Sequence, residues 1–314
     1  MSYYLLFNLL KFVDIKMGRL SYNVNFWFNY LAKTFDANLP NSEQIELSAK
    51  EVNYYCKINN PFILNSGFQV KDINLLKSSG YSYDLYRILY PFRNTIRFNY
   101  IFGDVIEIPS IPSFVKSRPI SDYNENSVLL PLDSNRHFNF IDDQTKFVEK
   151  KDEAVWRGAA YQKHRIDFLE SCMDLPFINL GNTAKIDGET TICESPKMSI
   201  KEQLKYKFII SLEGNDVATN LKWIMSSNSV CIMPRPKYET WFMEGKLKPG
   251  IHYIEIQDDY SDLEEQFRKY VNKPEWCEQI IFNANEYTKK FKSISNRLLK
   301  ARMVCKKFIN LTSV

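Results

Sequence analysis

The feature that most constrains this chain is a change of hydrophobic period within a few residues of position 210. Lys207-Phe208-Ile209-Ile210-Ser211-Leu212 is a short apolar run with β-branched members, and it stops at Glu213-Gly214-Asn215-Asp216. A run of that kind ending in turn and capping residues reads as a strand closed by a tight turn. From there Val217, Ala218, Leu221, Ile224 and Met225 fall at i, i+1, i+4, i+7 and i+8, which is one face of a helix beginning at Val217. Asp216 or Asn215 is its expected N-cap. Two more strand-like runs follow, Ser229 to Met233 and Ile251 to Ile256, and Ser261-Asp262-Leu263-Glu264 opens another helix in capping-box style. Strands alternating with helices imply a parallel sheet with crossover helices, and such sheets take ligands beyond the carboxyl ends of their strands.

Glu213-Gly214 stands at such an end. A helix opening just after it offers free N–H groups and a positive dipole end, and a glycine lets a ligand approach the backbone. The Glu213 carboxylate suits ribose hydroxyls better than phosphate. The same pattern also describes a capped crossover with no ligand, so pattern alone leaves both readings open.

Across some fifty residues the order of features resembles the C-terminal signature of glycosyltransferase family 90. Its protein O-glucosyltransferases, capsule-associated xylosyltransferases and bacterial lipopolysaccharide core glycosyltransferases show a Lys-Tyr strand, an Asp/Glu-Gly turn, a Val-Ala pair, a further strand and a Leu-x-Pro-x-x-His-Tyr segment. Here these are Lys205-Tyr206, Glu213-Gly214, Val217-Ala218, Ser229-Val230-Cys231-Ile232 and Leu247 to Tyr253. The resemblance implies an α/β GT-B fold of two Rossmann-like domains facing a cleft. It also implies a nucleotide-sugar donor and no cofactor or required metal.

Further residues carry the resemblance upstream. Trp156-Arg157-Gly158 resembles the family's Phe/Trp-Arg-Gly motif, with Arg165 at the place of a second arginine. A guanidinium beside a glycine turn can grip a diphosphate with two parallel hydrogen bonds. Tyr100-Ile101-Phe102 reads as a strand delivering Gly103-Asp104, ahead of the Pro-punctuated segment that ends in Lys116-Ser117-Arg118. The family's catalytic base is an Asp at a strand end in this part of the chain, and Asp104 matches it best, with Glu107 and then Asp122 as rivals. Lys116 and Arg118 would meet acceptor phosphates or the donor, or else stand as exposed basic residues on a loop with no particular role. Leu132 to Phe138 resembles the bacterial branch more than the eukaryotic one. Two departures stand out: Ala159-Ala160 replace Ser-Arg after the glycine, and Asn220 stands where many members have an arginine. Fewer cations then face a diphosphate unless Lys222, Arg165 or Arg235 substitutes.

Length and composition bound the rest. The 314 residues suit two domains of about 150 residues each. The polar stretch from Phe140 to Asp152 is the expected crossing, dividing an acceptor-side domain (1–150) from a nucleotide-sugar domain (151–314). A net charge of +4 does not argue for nucleic acid, and the aromatic and arginine residues between Tyr81 and Phe102 space like an amphipathic helix broken at Pro91. Six cysteines without a CxxC pair point to free thiols in a reducing compartment, and three scattered histidines to no metal site. Met1 to Ile15 is too short and too polar to span a bilayer and lacks a cleavage site, so cytoplasmic placement is expected. For Met1 to Phe28 a helix on a membrane surface and packing on the protein's own core both fit. Glu275 to Phe308 reads as helical, with Lys289, Lys290, Lys292, Arg297, Lys300, Arg302, Lys306 and Lys307 on one side, solvated or facing anionic headgroups.

The reading is an inverting, metal-independent glycosyltransferase moving a hexose from a UDP-sugar to a glycan or glycolipid of the lipopolysaccharide core. Asp104 would be the base. The donor would be held by Trp156, Arg157, Gly158, Arg165, Glu213, Gly214, Asp216, Val217, Ala218, Asn220 and Lys222. A Rossmann oxidoreductase would need a GxGxxG turn, which the chain lacks. A non-catalytic nucleotide- or glycan-binding module would keep the Glu213 corner and dispense with Asp104.

Overall fold

A computed structural model describes residues 50–64, 66–74, 80–92, 96–185 and 191–313; the segment Met1 to Phe28 lies outside them. After a helical stretch at 50–55 come β1 (Phe62–Ile63), α1 (Gly80–Leu89), β2 (Tyr100–Ile101), β3 (Ser113–Val115), β4 (Ser117–Pro119), β5 (Ser127–Leu129) and α2 (Ser134–His137). The chain continues through β6 (Lys151–Gly158), α3 (Lys163–Cys172), β7 (Ile178–Asn182), α4 (Ile200–Gln203), β8 (Tyr206–Ile210), α5 (Leu221–Met225) and β9 (Val230–Pro234). It closes with β10 (Tyr238–Thr240), β11 (Ile254–Ile256), α6 (Leu263–Val271), α7 (Pro274–Lys292), α8 (Ile294–Leu311) and β12 (Thr312–Ser313).

Five of these strands form one parallel sheet in the order β11-β9-β8-β6-β7. Counted along the chain this is 2-1-3-4-5, a doubly wound order whose topological switch point lies between β6 and β8. All five residues of β8 are buried, as expected of a strand covered on both faces, which reads as a continuous apolar run rather than an alternation. Phe208 and Ile210 join Ala154, Trp156, Phe168 and Phe267 in one core, whereas Ile209 joins Val155, Leu221 and Ile224 in the other. The second core runs on without a break into the first half of the chain, through Phe98, Phe114, Val128 and Leu130.

In that first half, β2, β3 and β5 form a three-stranded parallel sheet. Two connections tie it to the rest. The antiparallel pair β4–β10 sets Arg118 opposite Glu239, and α8 carries the chain end back so that β12 pairs with β1 and Phe308 packs on Phe62 and Phe114.

Two elements differ from the periodicity. The helix expected from Val217 begins only at Leu221, after Asn220, and has five residues. Gly214 N–H donates to the Asp216 carbonyl, closing a tight turn, and the Asp216 side chain is held by an ion pair to Lys116 instead of capping a helix. The C-terminal helix is two helices broken at Ser293, whose hydroxyl accepts from Asn296 N–H. Arg297 is buried rather than on the basic side, and it donates to the carbonyls of Phe291 and Lys292 at the end of α7.

Candidate active site

Beyond the carboxyl ends of β8, β9 and β11 lies a cavity of about 430 Å³. Its lining includes Ser211 to Asn215, Val217, Ala218, Pro234 to Tyr238, Asp258 and Tyr260, with Ile106 contributed by the first half of the chain. Arg165, expected to hold the donor, does not line the cavity but braces the chain around it. It donates from Nε to the Glu213 carbonyl at 2.8 Å, from Nη1 to the Ala159 carbonyl at 2.9 Å and from Nη2 to the Leu212 carbonyl at 2.9 Å. One guanidinium thereby clamps together the chain leaving β6 and the chain leaving β8, across the switch point.

Glu213 turns its carboxyl toward the opposite wall, where Oε1 accepts from the N–H groups of Lys237 at 3.0 Å and Tyr238 at 3.1 Å. Burial pushes this carboxyl up to about 7, more than the two backbone hydrogen bonds pull it down. A side chain at Gly214 would meet only the Arg165 guanidinium, at an ordinary 3.5 Å, so the glycine keeps space on the cavity side rather than room for a protein neighbour. Val217 and Ala218 are buried and line the wall as loop residues.

Asp104 reaches this corner from across the cleft. Gly103, at φ +93°, turns the chain in a conformation that favours glycine, and the next residue projects its carboxylate toward the β8 turn. Asp104 Oδ2 accepts from Asn215 Nδ2 at 3.1 Å, and Oδ1 lies 2.7 Å from Lys116 Nζ. Burial by itself would raise this carboxyl. The Lys116 hydrogen bond and charge, with the Asn215 hydrogen bond, outweigh burial and hold it below the usual carboxylate range. Its rivals Glu107 and Asp122 are exposed; none of the three carboxylates is itself in the cavity lining, and Asp104 is set apart by its bond to Asn215, which is.

Several residues expected to hold ligand do other work. Arg118 is fully buried, paired with Glu239 at 2.8 Å and bonded to the carbonyls of Tyr54, Tyr55 and Ser127, so it is sealed away from any acceptor. Lys116 is likewise buried between Asp104 and Asp216 rather than exposed. Lys222 is fully buried against Glu244 at 2.6 Å and cannot stand in for a phosphate-binding arginine. Asn220 accepts from the Ser211 hydroxyl and donates to the Ile210 carbonyl, bracing the end of β8. Trp156 is a core residue, edge-on to Phe168 at 5.6 Å. Arg157 crosses the face of Gly181, where a Cβ would collide with its guanidinium at 1.9 Å, and it donates to Asn179 at 2.7 Å; it does not line the cavity.

The cations that do line the cavity are Arg235, paired with Glu255, and Lys237, paired with Asp258, both largely exposed. Of these, only Arg235 was considered from sequence. The signal for the rest was present, because Pro234 to Tyr238 follows a parallel strand as directly as Glu213 does, and the rule about carboxyl ends applies to β9 as well as β8. Among the described residues no cluster of metal-ligating side chains occurs and no helix is long and apolar enough to cross a membrane. The six cysteines are free, and all but Cys193 are buried.

A cleft beyond the strand ends of a doubly wound sheet, with a carboxylate brought near it from the first half of the chain, suits a group-transfer enzyme. Comparison with known proteins makes the class specific. Residues 135–296 match the sequence profile of glycosyl transferase family 90. The chain is 46% identical over 288 residues to O-glucosyltransferase LpsA of Dichelobacter nodosus, covering 90% of both chains. It is also 25% identical over 154 residues to protein O-glucosyltransferase 2 of Danio rerio, covering 45% of this chain and 29% of that one. A third similarity, 33% over 104 residues, is to uncharacterized protein 179R of Invertebrate iridescent virus 6, of which it covers 9%. The chain belongs to glycosyltransferase family 90 and is a glycosyltransferase.

Proposed function

We propose that this glycosyltransferase moves a hexose from a UDP-sugar to a hydroxyl of a lipopolysaccharide core glycan, with inversion and without a metal. The observation that carries the reading is the approach of Asp104 to the β8 turn, 3.1 Å from Asn215, which itself lines the cavity. In one displacement the acceptor oxygen attacks the anomeric carbon, its proton passes to Asp104, and the bond to the diphosphate breaks with its electron pair on the leaving oxygen. A single carboxylate suffices for this, unlike the pair that glycoside hydrolysis needs.

The donor would lie along Glu213 and Gly214, with the second Glu213 oxygen toward ribose hydroxyls and Arg235 and Lys237 toward the diphosphate. These two replace Lys222 and Arg157 in that role, since both of those are engaged elsewhere. Charge building on the departing diphosphate is offset most effectively by cations already in place. Glucose is the hexose named in two relatives, and the acceptor reading rests on the bacterial character of Leu132 to Phe138. Division near residue 150 into acceptor and donor domains of a GT-B enzyme belongs to the same proposal, as does a cytoplasmic location with peripheral contact to the membrane.

Thermal-shift screening against UDP, GDP and CMP sugars tests the donor, and transfer assays with whichever stabilises test the chemistry. Asp104→Asn is expected to keep the donor-induced shift and to lower the transfer rate by about 10²- to 10⁴-fold. Transfer near the parental rate in that variant would remove Asp104 as the base. Chelator should leave the rate unchanged, and dependence on an added divalent ion would overturn the metal-free mechanism.

A further inference from the structure

Both oxygens of Asp104 are tied to the turn that lines the cavity. Asn215 of that turn donates to Oδ2 directly. Lys116 ties Oδ1 indirectly, because its ammonium stands 2.7 Å from Asp104 Oδ1 and 2.6 Å from Oδ2 of Asp216, two residues past Gly214. The exposures differ in a telling way. Lys116 is 2% exposed and Asp216 5%, so neither can meet substrate, while the Asp104 side chain keeps 26% of its surface open. The lysine therefore serves protein groups alone, the two carboxylates and the Tyr81 hydroxyl, and of the two carboxylates only Asp104 is open to solvent.

We propose that Lys116 is a positioning residue for transfer: bridging Asp104 to Asp216, it fixes the base against the donor-side turn and keeps that base ionised. The proposal rests on Asp104 being the base. Other charged or titratable groups around this bridge are few. Arg136 of α2 adds a weaker positive field at Asp104. Tyr81 of α1 faces Lys116, with Asp133 beyond it, and burial drives its hydroxyl upward so that it stays neutral. His137 of α2 is buried near Lys116 and Lys222, which with desolvation hold its ring neutral. Lys116 thus supplies the strongest positive charge at Asp104, and Asp216 competes for it.

The sign of the effect separates this role from a merely structural one. Removing the lysine leaves burial opposed only by the Asn215 hydrogen bond and the weaker Arg136 field, so the Asp104 carboxyl rises and the base is protonated at a higher pH. In Lys116→Met the acid limb of the kcat/KM profile should move up by about 1 to 3 pH units, measured as hydrolysis of the sugar nucleotide selected above, beginning with UDP-glucose. Lys116→Arg should bring it back down. Because Lys116→Met leaves Asp216 buried without its partner, the double variant Lys116→Met/Asp216→Asn serves if the single one does not fold; it leaves no unpaired buried charge and carries the same upward expectation. Carboxyl carbon-13 titration, with Asp104 assigned by its absence in Asp104→Asn, reads the same shift without relying on turnover.

A folded variant whose rate falls equally at every pH, with the limb and the Asp104 titration unmoved, would overturn the proposal. Asp104→Asn at near-parental activity is a different result, and it would remove the base itself whatever Lys116 does.

Discussion

The molecule contains two kinds of buried ion pair, and the difference between them teaches how burial assigns a role to similar chemistry. Lys222–Glu244 and Arg118–Glu239 are sealed from solvent, with every side chain at 2% exposure or less, although Glu244 stands in the cavity wall. Their remaining hydrogen bonds go to the protein itself: Glu244 accepts from the N–H and hydroxyl of Thr240, and Arg118 donates to three carbonyls. The Asp104–Lys116–Asp216 group sets one ammonium between two carboxylates, and one of these is partly open to solvent. A sealed pair can only hold elements together. An ajar one can exchange a proton.

The comparison breaks most sharply at its two ends. Asp104→Asn should lose transfer by the orders of magnitude given above while its melting temperature stays close to parental, since the side chain is partly open. Lys222→Met should do the reverse. Leaving Glu244 charged and unpaired in the interior costs about 3–5 kcal/mol, visible as a lower urea midpoint, and Lys222→Met/Glu244→Gln should recover much of it. If Lys222→Met melts like the parent, the sealed pair is not holding α5 to the wall.

A smaller effect sharpens the contrast at Glu213, which belongs to neither kind because its partners are backbone N–H groups. Its folded value of about 7 lies above its ordinary 4.5. The sign follows from linkage: stability from this group is full below about 4.5 and is lost as pH rises through about 7. Glu213→Gln does not titrate, so its melting temperature relative to the parent should increase between pH 5 and pH 8, by about 2–4 °C for each kcal/mol of the penalty. An equal difference at both pH values would mean that the Glu213 carboxyl is no harder to ionise than a free one.

Much of the scaffold was legible. The run from Lys207 to Leu212, the strands near 230 and 254 and the helix broken at Pro91 all carry signals within ten residues of themselves. The helix after Asp216 was misplaced by four residues because its apolar spacing is real but begins in a loop. Val217 and Ala218 are buried there by tertiary contact, while the Asp216 carboxylate is drawn away by a lysine a hundred residues upstream. Of the candidate site, the sequence singled out Asp104 and Glu213, which the fold brings to one turn, but it did not show what surrounds them. Trp156, Arg157 and Lys222 look like ligands in sequence because aromatic and basic residues near glycines serve both purposes, and only packing on Phe168, Gly181 and Glu244 tells which.

The amino-acid order by itself determined the class of sheet, the strand ends where a ligand can sit and the family, since periodicity, turn residues and motif spacing are local properties. Only the tertiary structure decided which cations are spent inside the protein and which reach the cleft, because that depends on which carboxylate arrives beside each one, and these arrive from 12 residues away at Asp104 and from 121 at Glu239. An ion pair is made by proximity in space, and proximity across such separations is a result of folding rather than of sequence neighbours.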